Sequence, residues 1–573
     1  MKRNALAYGV IGVILIVTLF FLKGNKFDTG ERFILTLLVG AVAILIIVLM
    51  AKSESRALNP DRLLLGGFLA LSWLSFFFSE TKNFGFSEMF VLTACIGIFF
   101  AIGSQKPHIP KFFLKTIVVI TVASSIFGLI YFMTQFEPRM AGPFFDPSRR
   151  AHFFPNTFAL FLLMTWPIAA WLMTDSSRNE KKYWWLALTI ILTALFFTYS
   201  RGAWAVLILQ AVVLLASQRT YILKFMAVLA CTALIIVGVT AIRGARFPMV
   251  DVAERVTFQN ETRKTSLEER FDFFKGAATL ALRKPLLGYG PFSFRYVYPS
   301  IQTELLAISD HPHNWMLKVA AESGIPAFLL LTTYLLYLIY SHRRVMQIVH
   351  HDERAITSIL FISIVGAILH NMVDFNFNFL TTALLFWVLL GLYRQRSSSP
   401  SLHHHPILIA AIVLTLAFFV INEGGAAYSR DYRNSLFPRN YFLEQSPNLP
   451  YHLSLNPHDA RAWDAAGDPI KAVELDPMNN FRYYYDALQK LSRLEESPEF
   501  QALADRVREL LSSYEPMVAT NLHFTAFTDN PEYAAKIYEL LDEPQKADAL
   551  RKLAAKVKER VTEENHLTWD TLL

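Results

Sequence analysis

Cysteine is almost missing from this chain: Cys95 and Cys231 are the only two in 573 residues. Both sit inside apolar stretches, so neither a disulfide framework nor a cysteine metal site can be built. Charge is scarce as well. Asp, Glu, Lys and Arg make up 18% of the residues, against roughly 25% in soluble domains. That shortage excludes an ordinary soluble chain for most of the length. The net charge of +7 does not mark a nucleic-acid binder either, because Lys and Arg fall in short blocks between apolar stretches. No nucleic acid is expected among the partners.

What is abundant is apolar sequence: 53% of the residues are hydrophobic, with 48 Phe. Runs near the length that crosses a bilayer, about 20 residues, centre on 5–22, 32–51, 62–79, 85–103, 111–133, 154–174, 183–199, 202–218, 222–242, 325–341, 354–372, 377–394 and 406–421. The shorter ones fit a tilted or re-entrant segment. The first run follows Met1-Lys2-Arg3 without a small-residue cleavage site and reads as a retained helix. With Met1 in the cytoplasm, the connectors on that side are short and basic, as the positive-inside rule requires. They carry Lys106 and Lys111; Arg178, Lys181 and Lys182; Arg343 and Arg344; Arg394 and Arg396. The longest connectors, 134–153 and 243–324, then fall outside, together with everything after Glu423. The expected fold is all-α: a polytopic transmembrane bundle of about 12–13 spans (1–421), a large extracytoplasmic helical loop (243–324), and a soluble helical domain (422–573).

The loop 243–324 is too long to be a simple linker. Ser266-Leu267-Glu268-Glu269 is a capping-box pattern that starts a helix. Phe271, Phe274, Ala278 and Leu282 would line its buried face, and Pro285 would end it. Gly288-Tyr289-Gly290-Pro291 makes a turn, and a second helix is expected from Asn314 to Gly324. The shorter outer loop carries Arg139, Arg149 and Arg150, against the topology rule. They either balance lipid headgroups or grip an anionic substrate.

Several polar residues sit where hydrocarbon gives way to water. Arg201, in Thr198-Tyr199-Ser200-Arg201-Gly202, is either a snorkelling anchor or functional, since arginine near hydrocarbon is costly unless paired or hydrated. His311 and His313 flank Pro312 ahead of Asn314. A histidine here can take a proton from a hydroxyl or bond backbone carbonyls. A zinc site is the weaker reading, because it needs three or four ligands and only Asp310 is adjacent. Arg270 reads as a surface charge or a ligand. Asp374 closes a span with His370 and Asn371, and either pairs with an arginine for structure or orients one for function. His403-His404-His405 reads as a solvated connector.

Taken in order, these pieces resemble the O-antigen ligase and polymerase superfamily, bacterial membrane enzymes that move lipid-linked glycans. The matching elements are Arg139-Met140-Ala141-Gly142, Phe154-Pro155-Asn156, Tyr199-Ser200-Arg201-Gly202-Ala203, Arg270, Arg283-Lys284-Pro285-Leu286-Leu287-Gly288-Tyr289-Gly290, His311-Pro312-His313-Asn314, Glu322-Ser323-Gly324-Ile325-Pro326 and His370-Asn371-Met372-Val373-Asp374-Phe375. They span roughly residues 1–400; Pro326 departs from the glycine frequent in the family. The resemblance implies a multi-pass protein of the bacterial cytoplasmic membrane. It also implies a glycan donor on undecaprenyl pyrophosphate, an acceptor that is a lipid, glycan or protein, and no metal or other cofactor. On that footing Arg201 and Arg270, with Arg139, clamp the pyrophosphate, and His313 takes the proton of the acceptor hydroxyl as it attacks with inversion. Asn156, His311, Asn314 and Asp374 are the further candidates for substrate binding.

After Glu423, alternating Ala and aromatic residues suggest helix pairs with Asp476 as an N-cap and Pro477 at the first helical position. Ala462, Trp463, Ala465 and Ala466 are similar to a tetratricopeptide-like repeat, without its clean period. Such a domain presents an acceptor or contacts an envelope protein. The expected activity is en bloc glycan transfer to an acceptor hydroxyl. A polysaccharide polymerase and a protein O-oligosaccharyltransferase share the same residues. A transporter or flippase is the reading from another class, but transporters place their polar sites near the midplane, and here they gather at one face.

Overall fold

Each apolar run folds as a helix, because in lipid only a helix or a closed barrel satisfies its own backbone hydrogen bonds. The computed structural model describes residues 2–21, 33–50, 60–105, 110–134, 139–144, 154–217, 221–247, 249–250, 252, 266–397, 406–429, 449–493, 498–520, 525 and 528–569. Among these residues there is no strand.

The bundle is built from α1 (Lys2–Ile16, continued by a π-helical turn Val17–Phe21), α2 (Phe33–Met50), α3 (Pro60–Phe77), α4 (Lys82–Gly103), α5 (Lys111–Thr134), α6 (Pro155–Asp175), α7 (Arg178–Phe197), α8 (Arg201–Ser217) and α9 (Ile222–Gly244). The outer loop contributes α10 (Ser266–Arg283), α11 (Phe294–Val297) and α12 (Trp315–Ser323). The bundle then resumes with α13 (Ile325–Ile348), α14 (His351–His370), α15 (Leu380–Ser397) and α16 (Pro406–Ser429). Eight of the described helices are long and apolar enough to cross a membrane, and α2, α3, α8 and α15 are shorter apolar helices. The remaining run, α7, carries its charges only at its start. The chain is a multi-pass membrane protein.

Helix α6 sits at the centre, buried along nearly its whole length between α7 and α14. Peripheral α9 instead turns Leu223, Leu234 and Val237 outward, as a lipid-facing helix does. Buried polar side chains fix the register: Gln210 of α8 donates to the carbonyls of Leu163 (3.1 Å) and Ile362 (2.9 Å) and accepts from Trp166 Nε1 (2.8 Å). Three helices are thereby tied through one amide whose groups would otherwise be stranded in hydrocarbon.

The outer loop folds as α10 and α12 joined through the Gly288–Gly290 turn and the short α11. Asn314 caps α12, its side chain accepting from Leu317 N (2.9 Å). The face of α10 differs from expectation: Phe273, Ala277 and Leu280 are buried, whereas Phe271 and Leu282 are exposed. Phenylalanines at 271, 273 and 274 allow two helical registers. Packing of Phe273 against Tyr298 (ring centroids 5.6 Å apart) selects the second. The Gly288–Gly290 turn docks on the end of α12, with Tyr289 N donating to Ala321 O (3.1 Å) and Gly290 N to Glu322 O (2.8 Å). Gly324 completes the junction at φ +88°, where an added Cβ would lie 2.3 Å from Leu286 O. Only glycine fits there.

The tail forms α17 (Leu449–Leu455), α18 (Ala460–Ala465), α19 (Pro469–Leu475), α20 (Phe481–Ser492), α21 (Pro498–Tyr514), α22 (Asn530–Leu540) and α23 (Pro544–Trp569), with an apolar core of its own that includes Leu306 of the loop. Its N-caps are Asp459, Asp468 ahead of Pro469, and Asn480. Asp476 is a C-cap and bonds Asn479 Nδ2 (2.7 Å), which corrects the expected N-cap. An Asx-Pro pair marks both sites in the sequence, and only the one at 468–469 opens a helix. Arg149, Arg150 and His403–His405 lie outside the described residues.

Candidate active site

The sequence places Arg139, Asn156, Arg201, Arg270, His313 and Asp374 on six different segments. The fold brings them to one end of the bundle. Arg139 follows α5, Asn156 opens α6, Arg201 opens α8, Arg270 lies on α10, His313 precedes α12, and Asp374 follows α14. Arg139, Asn156, Arg201, Arg270 and Asp374 line a cavity of about 80 Å³ together with Ser200, Gly202, His370 and Val373.

Asp374 is its hub. The carboxylate is 5% exposed. Its Oδ1 lies 2.7 Å from His313 Nδ1 and accepts from Phe375 N (2.8 Å). Its Oδ2 accepts from Asn156 Nδ2 (2.6 Å) and pairs with Arg270 Nη2 (3.4 Å). Asn156 accepts in turn from Arg139 Nη2 (2.7 Å), and Arg139 Nε donates to Thr198 O (3.0 Å). Burial alone would push the Asp374 carboxyl up, but the charges of His313 and then Arg270 hold it well below its ordinary range. It therefore stays ionised and can only accept, so that in the neutral form of His313 the imidazole proton sits on Nδ1 and the Nε2 lone pair is left open.

The backbone is strained where the chemistry-bearing residues sit. His313 has φ +52° and Tyr199, two residues before Arg201, has φ +48°; such conformations cost about 1–3 kcal/mol each in non-glycine residues. Contacts on both sides hold His313 in place. Asn314 Nδ2 donates to Met372 O (2.7 Å) and Trp315 N to Asn371 O (2.8 Å), fastening the histidine segment to the Asp374 segment. Phe273 stacks on the imidazole, with centroids 5.6 Å apart and planes at 27°. Arg201 meets the positive end of α8, an arrangement unfavourable by about 0.3–1 kcal/mol. A site with three guanidiniums, one carboxylate and converging helix N-termini is an anion cradle.

Three candidates stand outside the cavity lining, and of these only His313 bonds a lining side chain, Asp374. His311 is buried edge-on between Phe292 and Phe375, at 5.3 and 4.8 Å. Asn314 spends both ends of its amide on the α12 cap and on Met372. Sequence reasoning missed Phe273, which nothing distinguishes from Phe271 and Phe274. It also missed the neighbouring buried cluster, in which Lys318 of α12 pairs with Glu322 and with Glu88 of α4 (2.8 and 3.0 Å). Glu322 in turn accepts from Phe292 N (2.9 Å) and Phe294 N (3.2 Å).

Residues 186–332 match a family model described as O-antigen ligase. The chain carries an O-antigen ligase domain. The matched segment contains Arg201, Arg270 and His313, whereas Arg139, Asn156 and Asp374 reach the same cavity from outside it. The match supports a membrane enzyme of O-antigen ligase or polymerase type, a family whose substrates are lipid-linked glycans. A comparison with curated proteins returns no match.

Proposed function

We propose that this O-antigen ligase-type enzyme moves a glycan en bloc from undecaprenyl pyrophosphate to an acceptor hydroxyl, with inversion, at the extracytoplasmic face of a bacterial cytoplasmic membrane. The observation that carries the reading is the convergence of Arg139, Arg201 and Arg270 on one cavity whose only carboxylate also holds His313. Arg201 and Arg270, helped by Arg139, grip the pyrophosphate by forked hydrogen bonds. The acceptor oxygen attacks the anomeric carbon opposite the leaving group while the hydroxyl proton passes to Nε2 of His313. The bond from the anomeric carbon to the pyrophosphate oxygen breaks, and its electron pair stays on the lipid pyrophosphate, where the guanidiniums meet the developing charge. His313 is one-third exposed and releases the proton to water. Guanidiniums do the charge stabilisation, so the reading routes no step through a metal.

The distribution of charge supports the orientation. Lys111, Arg178 and Arg394 stand at helix ends opposite the site, where Lys111 pairs with Asp175 (2.7 Å) and Arg394 with Asp61. A basic opposite end matches a cytoplasmic surface. The tail is read as a helix-pair domain that helps present the acceptor.

The test is transfer in vitro from a defined undecaprenyl-pyrophosphate glycan, with and without chelator. Intact transfer to a separate acceptor, insensitive to chelator and lost in His313→Ala, is expected. Chain growth on the carrier would reassign the enzyme as a polymerase. Full transfer by His313→Ala would overturn the mechanism.

A further inference from the structure

A transfer reaction has two substrates, and the arginine cavity suits only the anionic one. A second, larger cavity of about 580 Å³ opens on the other side of α10, between the outer loop and the tail. Helix α10 is the common wall: Arg270 faces the arginine cavity, while Glu269 and Asp272 face the larger cleft. The two openings are thus about one helix width apart, roughly 10 Å.

The cleft differs from the arginine cavity in chemistry as well as size. Glu304 of the loop and Glu509 of the tail join Glu269 and Asp272 on its walls, against Arg506 as the one cation among the described lining residues. Such a surface repels phosphate and accepts hydrogen bonds from hydroxyl or amino groups. Leu306, Leu510 and Met517 give it an apolar floor for the C–H faces of a sugar ring. The volume lies within the range of small-molecule sites.

This opening is held by defined joints rather than being a loose gap between two bodies. Gln302 and Asn479 exchange a reciprocal pair of amide hydrogen bonds (2.9 and 3.0 Å). Leu306 N donates to Met478 O (3.2 Å) from a left-handed backbone at φ +57°. On the other side of the tail, His458 Nε2 lies 2.5 Å from Glu80 Oε2, and Lys284 of the loop pairs with the same carboxylate.

We propose that this cleft binds the non-reacting part of the acceptor, a neutral or amino-bearing glycan strand whose terminal hydroxyl reaches past α10 to His313. The inference rests on the transferase reading for the word acceptor, but binding itself needs no catalysis. The tail is then a wall of the acceptor site, and charge sorts the substrates: pyrophosphate to the guanidiniums, glycan to the carboxylates.

The experiment uses the full chain in detergent with His313→Ala, so that nothing turns over. Calorimetry measures binding of a glucosamine tetramer, its N-acetylated form, a galacturonate tetramer and tetralysine. The first two are expected to bind and galacturonate not to bind. Glu304→Lys with Glu509→Lys should weaken glycan binding about tenfold or more, since hydrogen bonds to charged groups are removed, and leave undecaprenyl pyrophosphate binding unchanged. Glu509→Gln keeps the shape of the wall and should weaken the amino form more than the N-acetylated form. No glycan binding, binding unmoved by these substitutions, or binding of tetralysine alone would overturn the proposal. Glycan binding by a protein whose native form, with His313 intact, transfers no glycan would instead overturn the transferase reading.

Discussion

Two clusters of charge lie a few residues apart at the same end of the bundle, and they are balanced in opposite ways. Around Lys318, two carboxylates share one ammonium that is only 2% exposed. Around Asp374, one carboxylate meets three guanidiniums and a histidine beside an open cavity. A sealed cluster with excess negative charge draws protons. Burial and the second carboxylate, Glu88, push the Glu322 carboxyl up to about 7, while Glu322 and Glu88 keep the Lys318 ammonium charged against its own burial. An open cluster with excess positive charge draws an anionic ligand. The difference separates a group of charges that fastens the loop from one that is built to bind.

Removing the shared cation attacks the sealed cluster hardest. Lys318→Met leaves the buried Glu322 and the half-buried Glu88 without their partner and should destabilise the fold by about 3–5 kcal/mol, read as a fall in thermal midpoint. Adding Glu322→Gln should recover part of it. In the open cluster, Arg201→Ala should slow transfer by about 10²–10³-fold in a single-turnover assay of lipid pyrophosphate release, with little change in thermal midpoint. Arg201→Lys should recover little, because a point charge does not replace the planar fork. A mutant Arg201→Ala that turned over normally would erase the contrast between the clusters.

Asp374→Asn keeps the shape of the hub but can bond the wrong tautomer of His313. It should lower kcat by about 10²-fold with a smaller effect on donor KM. The smallest expected effect is a pH dependence. Because the folded state holds Glu322 near 7 against an ordinary value of 4.5, the protonated carboxyl favours folding. That stability is fully present below about 4.5 and is lost as pH rises towards about 7. Thermal midpoints measured across this window should decline in the native protein and flatten at this site in Glu322→Gln. An unchanged slope would mean that Glu322 titrates normally.

The bundle was legible because its signal is local. Each span is a run of apolar residues, and the helix start near Asn314 and the stop at Pro285 are read from neighbours in sequence. Arg201 was legible for a related reason, since a cation beside hydrocarbon is an anomaly that needs no partner to be noticed. Arg139 stood out on an outer loop, whereas Arg270 read equally as a surface charge and drew its role from the resemblance. The buried face of α10 was not legible, since Phe271 and Phe274 satisfy the helical period as well as Phe273 does, and Tyr298 and His313 make the choice. Lys318 gave no signal either. A lysine in a short helix reads as a surface charge until Glu88, 230 residues away, closes over it. Asp476-Pro477 misled because a local cap pattern competes with the rival start at Asp468-Pro469.

What this sequence determined by itself is where hydrocarbon must lie, because a backbone in lipid has to satisfy its own hydrogen bonds segment by segment. It also determined which polar residues pay for standing at the boundary. The tertiary structure alone decided that Arg139, Arg201 and Arg270 meet around Asp374, and that the reverse face of α10 opens towards the tail. Both depend on distances between segments far apart in the chain, and such distances are set by packing, not by pattern.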